Sequence, residues 1–334
     1  MKNCTINDKW TYNNMKVVYL ENEFLKIGVL AGRGSDIFEF IYKPTQTNLM
    51  LKLDKDIINP SEVSTQMRDT KNQFEDYYYG GWQEILPNTP AIEHRGASLG
   101  QHGEVSLNPW DYAITNNSEE EVSLKLWTRP LRYPILIEKT LTIKKGDSKL
   151  YIDETLTNES ETKLHLMWGH HIAFGLPFLG DGAKIETSAT KFIADGAAPS
   201  KNHFVKKEMQ DWPMVKTVDG ATIDASIITK SNADQFSDMA FLSEFKDEAY
   251  YKISNAEMSF SVHWDKNVFK NLWYWQERYG MQDAPWWGKA YAVALEPWTN
   301  MWSPNPGEAI MERDWLKLEP REVLKTSLRT DCEH

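Results

Sequence analysis

Along most of the chain, apolar and polar residues alternate one for one instead of recurring every three to four positions, which is the period of half-buried strands. Residues 16–20, 24–30, 36–42, 121–127, 135–143, 149–156, 163–174, 249–254, 259–264, 289–295 and 323–328 all carry this pattern and are predicted strands. Turn-forming runs punctuate them: KKGDSK at 144–149, TNESET at 157–162, GDGA at 180–183 and SPNPGE at 303–308. No long amphipathic helical stretch competes. Many short strands with frequent turns predict an all-β protein, a large antiparallel β-sandwich of two sheets. Segments 54–88 and 199–219 mix polar and aromatic residues and are expected to form loops or short helices over the sheets. Without repeats, low-complexity tracts or a Gly/Ser linker, one domain is expected over residues 1–334.

Two strands can be read face by face. In 164–174, Leu164, Leu166, Trp168, His170, Ile172 and Phe174 share one parity, and His165, Met167, Gly169, His171 and Ala173 the other. His170 thus keeps company with bulky packing residues, whereas His171 lies between two small ones that leave room above the sheet. In 289–299, Tyr291, Val293 and Leu295 lie on one face, and Ala290, Ala292, Ala294 and Glu296 on the other. A carboxylate at the end of three alanines sits over an empty floor, and Pro297 is expected to end the strand there. His171 and Glu296 are therefore the candidate acid–base residues; a structural histidine and close sheet packing are the competing explanations. Adjacent His170 and His171 point to opposite faces and cannot readily chelate one ion, so no metal site is expected. No phosphate-binding glycine loop and no nucleophile elbow is present.

Composition narrows the ligand. Fourteen Trp, fourteen Tyr and thirteen Phe in 334 residues exceed what core packing asks for, and flat aromatic faces suit sugar rings. With 37 basic against 48 acidic residues the net charge is −11, and no basic run exceeds LTIKK at 141–145. That argues against nucleic acid and anionic membranes as partners. Cys4 and Cys332 can pair only if the termini meet, and two thiols in so long a chain suggest a reducing compartment. The opening MKNCTINDKWTYNN is polar where a signal peptide is apolar, and no apolar run approaches a membrane span. A cytoplasmic location is expected; the oligomeric state is not legible.

Four motifs in order, GGWQEILPN (80–88), HGEVSLNPW (102–110), WGHHIAFG (168–175) and ALEPWT (294–299), together with ENEFLKIGVLAGRGSDIFEFIY (21–42), resemble the aldose 1-epimerase, or galactose mutarotase-like, superfamily. The likeness runs from about residue 16 to residue 329. It implies a supersandwich with a sugar cleft on its concave face and cofactor-free interconversion of the α and β anomers of an aldose. The family's H-x-x-F register selects His171, with Phe174, as general acid, and its C-terminal glutamate corresponds to Glu296 as general base. A nearby carboxylate is expected to keep His171 protonated near neutral pH. The resemblance further implies sugar contacts from His102, Trp82 and Asn88. Relatives place an arginine near the paired glycines; here Gln83, Arg95 or Arg68 is the candidate substitute. LWYWQERYG (272–280) is expected to supply another wall, with Trp275 and Gln276 toward the sugar. Few basic residues in these motifs favour an uncharged aldose. The alternatives are a noncatalytic carbohydrate-binding sandwich and a glycoside hydrolase or lyase, for which Glu84 and Asp283 are the further carboxylates.

Overall fold

The computed structural model describes residues 3–62, 72–180, 182–197, 201–228, 235–303 and 306–334. Within them the alternating segments assemble into two large antiparallel sheets, a galactose mutarotase-like β-sandwich. The 12-stranded sheet runs from Thr5–Tyr12 at one edge through Met15–Glu21, Leu25–Leu30, Asp36–Tyr42, Trp82–Ile85, Gly169–Phe174, Tyr291–Trp298, Asn271–Arg278, Phe236–Phe245 and Ala189–Ala194 to Met209–Asp211, with the short strand Thr47–Asn48 paired beside Asp36–Tyr42 off this path. The nine-stranded sheet is ordered Ile227–Ile228, Ala183–Thr187, Ala249–Ser254, Ser259–Trp264, Val323–Glu333, Tyr151–Asn158, Ile135–Lys144, Glu121–Thr128, Asp111–Asn117.

Burial explains which segments alternate. Ile135–Lys144 buries every second residue, as a strand with one wet face must. Trp82–Ile85, Gly169–Phe174 and Tyr291–Trp298 lie mid-sheet and are buried on both faces. One apolar cluster fills the space between the sheets, with Phe40, Ile172 and Val293 from the larger meeting Leu124, Leu156 and Phe260 from the smaller. A second cluster covers the outer face of the larger sheet, where Ile85, Ala173, Ala292 and Ala294 carry Phe74, Tyr78, Trp273, Trp286 and Trp298.

Three expectations are corrected. The predicted strand 163–174 is two pieces, Leu164–Leu166 and Gly169–Phe174; the first leaves to pair with Leu316–Leu318. The strand at Glu296 passes through Pro297, which pairs opposite Leu272, and ends at Trp298. Segment 54–88 contains a central strand, Trp82–Ile85, besides the short helix Gln73–Tyr77. Cys4 and Cys332 are both buried and unbridged.

Candidate active site

Strand register brings the two candidate residues together. Gly169 pairs with Trp298 and Ala173 with Ala294, so the residue midway on one strand, His171, faces the residue midway on the other, Glu296. Their side chains lie on the outer face, with His171 Nε2 3.6 Å from Glu296 Oε1. Trp298 Nε1–H donates to Glu296 Oε2 at 2.9 Å, leaving Oε1 toward the imidazole. Among described residues His171 Nδ1 is buried with no hydrogen-bond partner.

Aromatic side chains wall the pair. Phe74, from Gln73–Tyr77, sits 5.4 Å from the His171 ring and 4.3 Å from that of His102; the rings of Tyr78 and Trp275 lie 5.1 and 6.2 Å from His171. Trp286 closes another side against Trp275 and Tyr78. The cleft between them is about 240 Å³ and is also lined by Glu75, Thr89, Gln101, Asp195, Met239 and Trp302. A half-buried cleft with several aromatic faces and a few convergent polar groups is the form small-molecule sites take.

Burial sets the protonation of the pair. With little water to solvate it, the Glu296 carboxyl is pushed up to about 8, the Trp298 donor only partly opposing this. Desolvation, with His102 adding to it, drives His171 down to about 3, and His102 itself falls to about 4. The expected imidazolium at neutral pH is therefore corrected for the protein by itself: burial favours a protonated Glu296 beside a neutral His171.

The remaining predicted contacts divide. His102 lines the cavity, held in a left-handed conformation (φ 61°) with its backbone N–H donating to Thr89 O at 2.9 Å. Trp275 lines it too. Asn88 does not: its amide donates to Pro90 O and Gly100 O, both at 2.8 Å, bracing the loop that presents His102. Gln83 pairs opposite His171 but spends its amide on Gly80 O and the buried Asp36, and is not in the lining. Trp82 and Gln276 point to the other face. Trp82 pairs opposite Ile172 and enters the intersheet core, and Gln276 opens into a separate cleft of about 620 Å³ beside His203 and Arg278. Arg95 is exposed and reaches Thr162, while Arg68 lies outside the described residues. Asp283 is exposed and Glu84 is buried on the core side, so neither is the second carboxylate of a hydrolase in this cavity.

The small residues do not leave an empty floor. A Cβ on Gly169 would come 2.1 Å from Trp298 Cδ2, so the indole that holds Glu296 occupies that space and stacks on Trp273 at 4.3 Å. Glu75, Gln101 and Asp195 carry no sequence signal, because loops and one short helix bring them to the cavity. Among the described residues, Glu84, Glu154 and His170 are the group close enough to hold a metal. Lys139 Nζ already lies 3.4 Å from Glu84, and the Trp82 indole N–H, which can only donate, points at His170 Nδ1 from 3.1 Å. Those contacts suit a self-satisfied polar network.

A family described as a domain of unknown function, DUF4432, matches residues 13–331. No curated protein matches the sequence. Among solved structures, a candidate aldose 1-epimerase from Klebsiella pneumoniae is similar at 13% identity over 98% of this chain and 83% of that one, with a TM-score of 0.70. A candidate mutarotase from Salmonella typhimurium is similar at 10% identity over 98% and 96%, TM-score 0.63. A galactose mutarotase-like protein from Clostridium acetobutylicum is similar at 12% identity over 99% of both chains, TM-score 0.62. Likeness this distant speaks for the fold alone. With the family match spanning nearly the whole sequence, the chain belongs to the DUF4432 family, built on the galactose mutarotase-like fold.

Proposed function

We propose that the protein is a cofactor-independent aldose mutarotase, with His171 and Glu296 as its acid–base pair. The observation that carries this reading is the facing of these two side chains, 3.6 Å apart, at the floor of an aromatic-walled cavity of monosaccharide scale. Opening a cyclic hemiacetal needs one base and one acid acting together. Glu296 carboxylate takes the C1 hydroxyl proton as the C1 carbonyl forms. The C1–O5 bond breaks, and imidazolium His171 delivers its proton to O5. The open aldehyde turns about C1–C2 and recloses; Glu296 returns its proton to the carbonyl oxygen while His171 recovers the one on O5.

Each residue moves one proton on ring opening and the reverse on closure, so the pair is restored and no external acid or base is consumed. The state reached on ring opening, protonated Glu296 beside neutral His171, is the one burial favours in the protein alone. Sugar hydroxyls offered to Glu296 supply hydrogen bonds that its carboxylate otherwise lacks, which eases the return to the ionised pair.

Polarimetry of freshly dissolved α-D-glucose and α-D-galactose tests the reading. Accelerated mutarotation that disappears in Glu296→Gln, with far-ultraviolet circular dichroism unchanged, is expected. Tryptophan fluorescence quenched by aldoses that are not anomerised would replace catalysis with noncatalytic sugar binding.

A further inference from the structure

The mutarotase reading leaves the substrate class open, and two half-buried carboxylates the reaction does not use bear on it. Glu75 and Asp195 enter the cavity from opposite elements of the chain, the short helix Gln73–Tyr77 and the end of strand Ala189–Ala194. Each is anchored by a single side of its carboxyl. Gln101 Nε2 donates to Glu75 Oε1 at 3.2 Å, and the Ala197 N–H donates to Asp195 Oδ1 at 3.2 Å. No Lys or Arg is among the described lining residues; the charges of Lys55 near Glu75, and of Lys206 and Lys207 near Asp195, oppose the effect of burial without outweighing it. Burial raises the pKa of both, so each favours an environment that supplies further donors. His171, whose Nδ1 is buried and unpartnered, lines the same space.

Resting on the mutarotase reading, we propose that Glu75 and Asp195 are specificity-determining residues: they accept hydrogen bonds from hydroxyls of an uncharged aldopyranose and exclude aldoses that carry phosphate, sulfate or carboxylate. Carboxylates are pure acceptors and suit sugar hydroxyls, which are good donors. The Glu296–His171 pair carries no net charge in either of its proton states, so Glu75 and Asp195 are the carboxylates that an anionic substituent meets as like charge around about 240 Å³, where little water screens it. The aromatic walls take the C–H face of the ring and leave the hydroxyl edge to these two groups.

The test compares glucose and galactose with glucose 6-phosphate and glucuronate, using wild type, Glu75→Gln, Asp195→Asn and the double variant. Anomer exchange gives kcat/KM, and tryptophan fluorescence gives binding independently of turnover. Wild type is expected to prefer the uncharged aldoses by at least about tenfold in both readouts. The double variant is expected to narrow that ratio several-fold, chiefly through KM. Equal handling of charged and uncharged aldoses by wild type, or a ratio unchanged in the double variant, would overturn the proposal. If uncharged aldoses bind selectively and none is anomerised, the mutarotase reading fails while the selectivity stands. If no aldose binds, both fail.

Discussion

His170 and His171 are neighbours in one strand, equally buried in outline, and opposite in every chemical respect. On the intersheet side, His170 Nδ1 accepts from Trp82, and Nε2 lies 3.2 Å from Glu154, tying the larger sheet to the smaller. Glu84 takes Lys139 and the Trp168 indole, so this polar cluster satisfies most of itself. Across the backbone, His171 has among the described residues a single carboxylate partner, a ring nitrogen without one, and a cavity in front. A buried polar group with its partners in place is structure; one left without them costs free energy that a ligand can recover. The unsatisfied side of the strand is therefore where function is to be sought.

The largest effect is expected from Glu296→Gln, which keeps shape and removes the transferable proton. Anomer exchange is predicted to fall about 10²–10⁴-fold, measured by polarimetry, while the fold persists. His170→Leu reverses the pattern. It strands Glu154 and the Trp82 N–H in the core and is predicted to cost about 3–5 kcal/mol, read as a lower urea midpoint. A Gly169→Ala methyl would collide with Trp298 and displace it from both Trp273 and Glu296. About 1–3 kcal/mol of stability is expected to go, with a slower exchange rate beside it.

The pH dependence of stability reports on the outer face. The Glu296 carboxyl titrates near 8 in the folded chain against 4.5 for a freely solvated glutamate, so its neutral form is the one the fold accepts. That contribution is complete below about 4.5 and is lost as pH rises through 8. His171, lowered to about 3 from 6.5, contributes above 6.5 and loses its share as pH falls toward 3. Glu296→Gln is thus predicted to raise Tm at pH 9 while changing it little at pH 5. The gain at pH 9 is expected to be about 2 kcal/mol or more. The smallest effect is expected from Asn88→Ala, which frees the loop carrying His102: a raised KM, with kcat nearly kept.

Parity along a strand distinguishes the two histidines because it needs only local geometry. It also places Glu296 on the outer face. The same parity puts Gln276 on the face opposite Trp275, so the expectation that both meet one ligand fails on local geometry, whereas Trp82 escapes because its segment carries no alternation and its pairing with Ile172 is not visible in one sequence. Trp82–Ile85 reads as loop in the sequence because a strand buried on both faces has no alternation to show. Small residues at Gly169 and Ala290 to Ala294 do signal missing volume, but an indole fills such a gap as well as a sugar does. Glu75 and Asp195 reach the cavity from elements without periodicity, so nothing in their neighbourhoods marks them.

The central claim is that chemistry belongs to the His171 side of the strand and to no group on the His170 side. Saturation-transfer NMR of the anomeric protons of galactose and glucose, with wild type, His171→Ala and His170→Leu at matched folded fractions, addresses it directly. The account predicts exchange retained in His170→Leu and abolished in His171→Ala. Exchange that survives His171→Ala and vanishes in His170→Leu would contradict it.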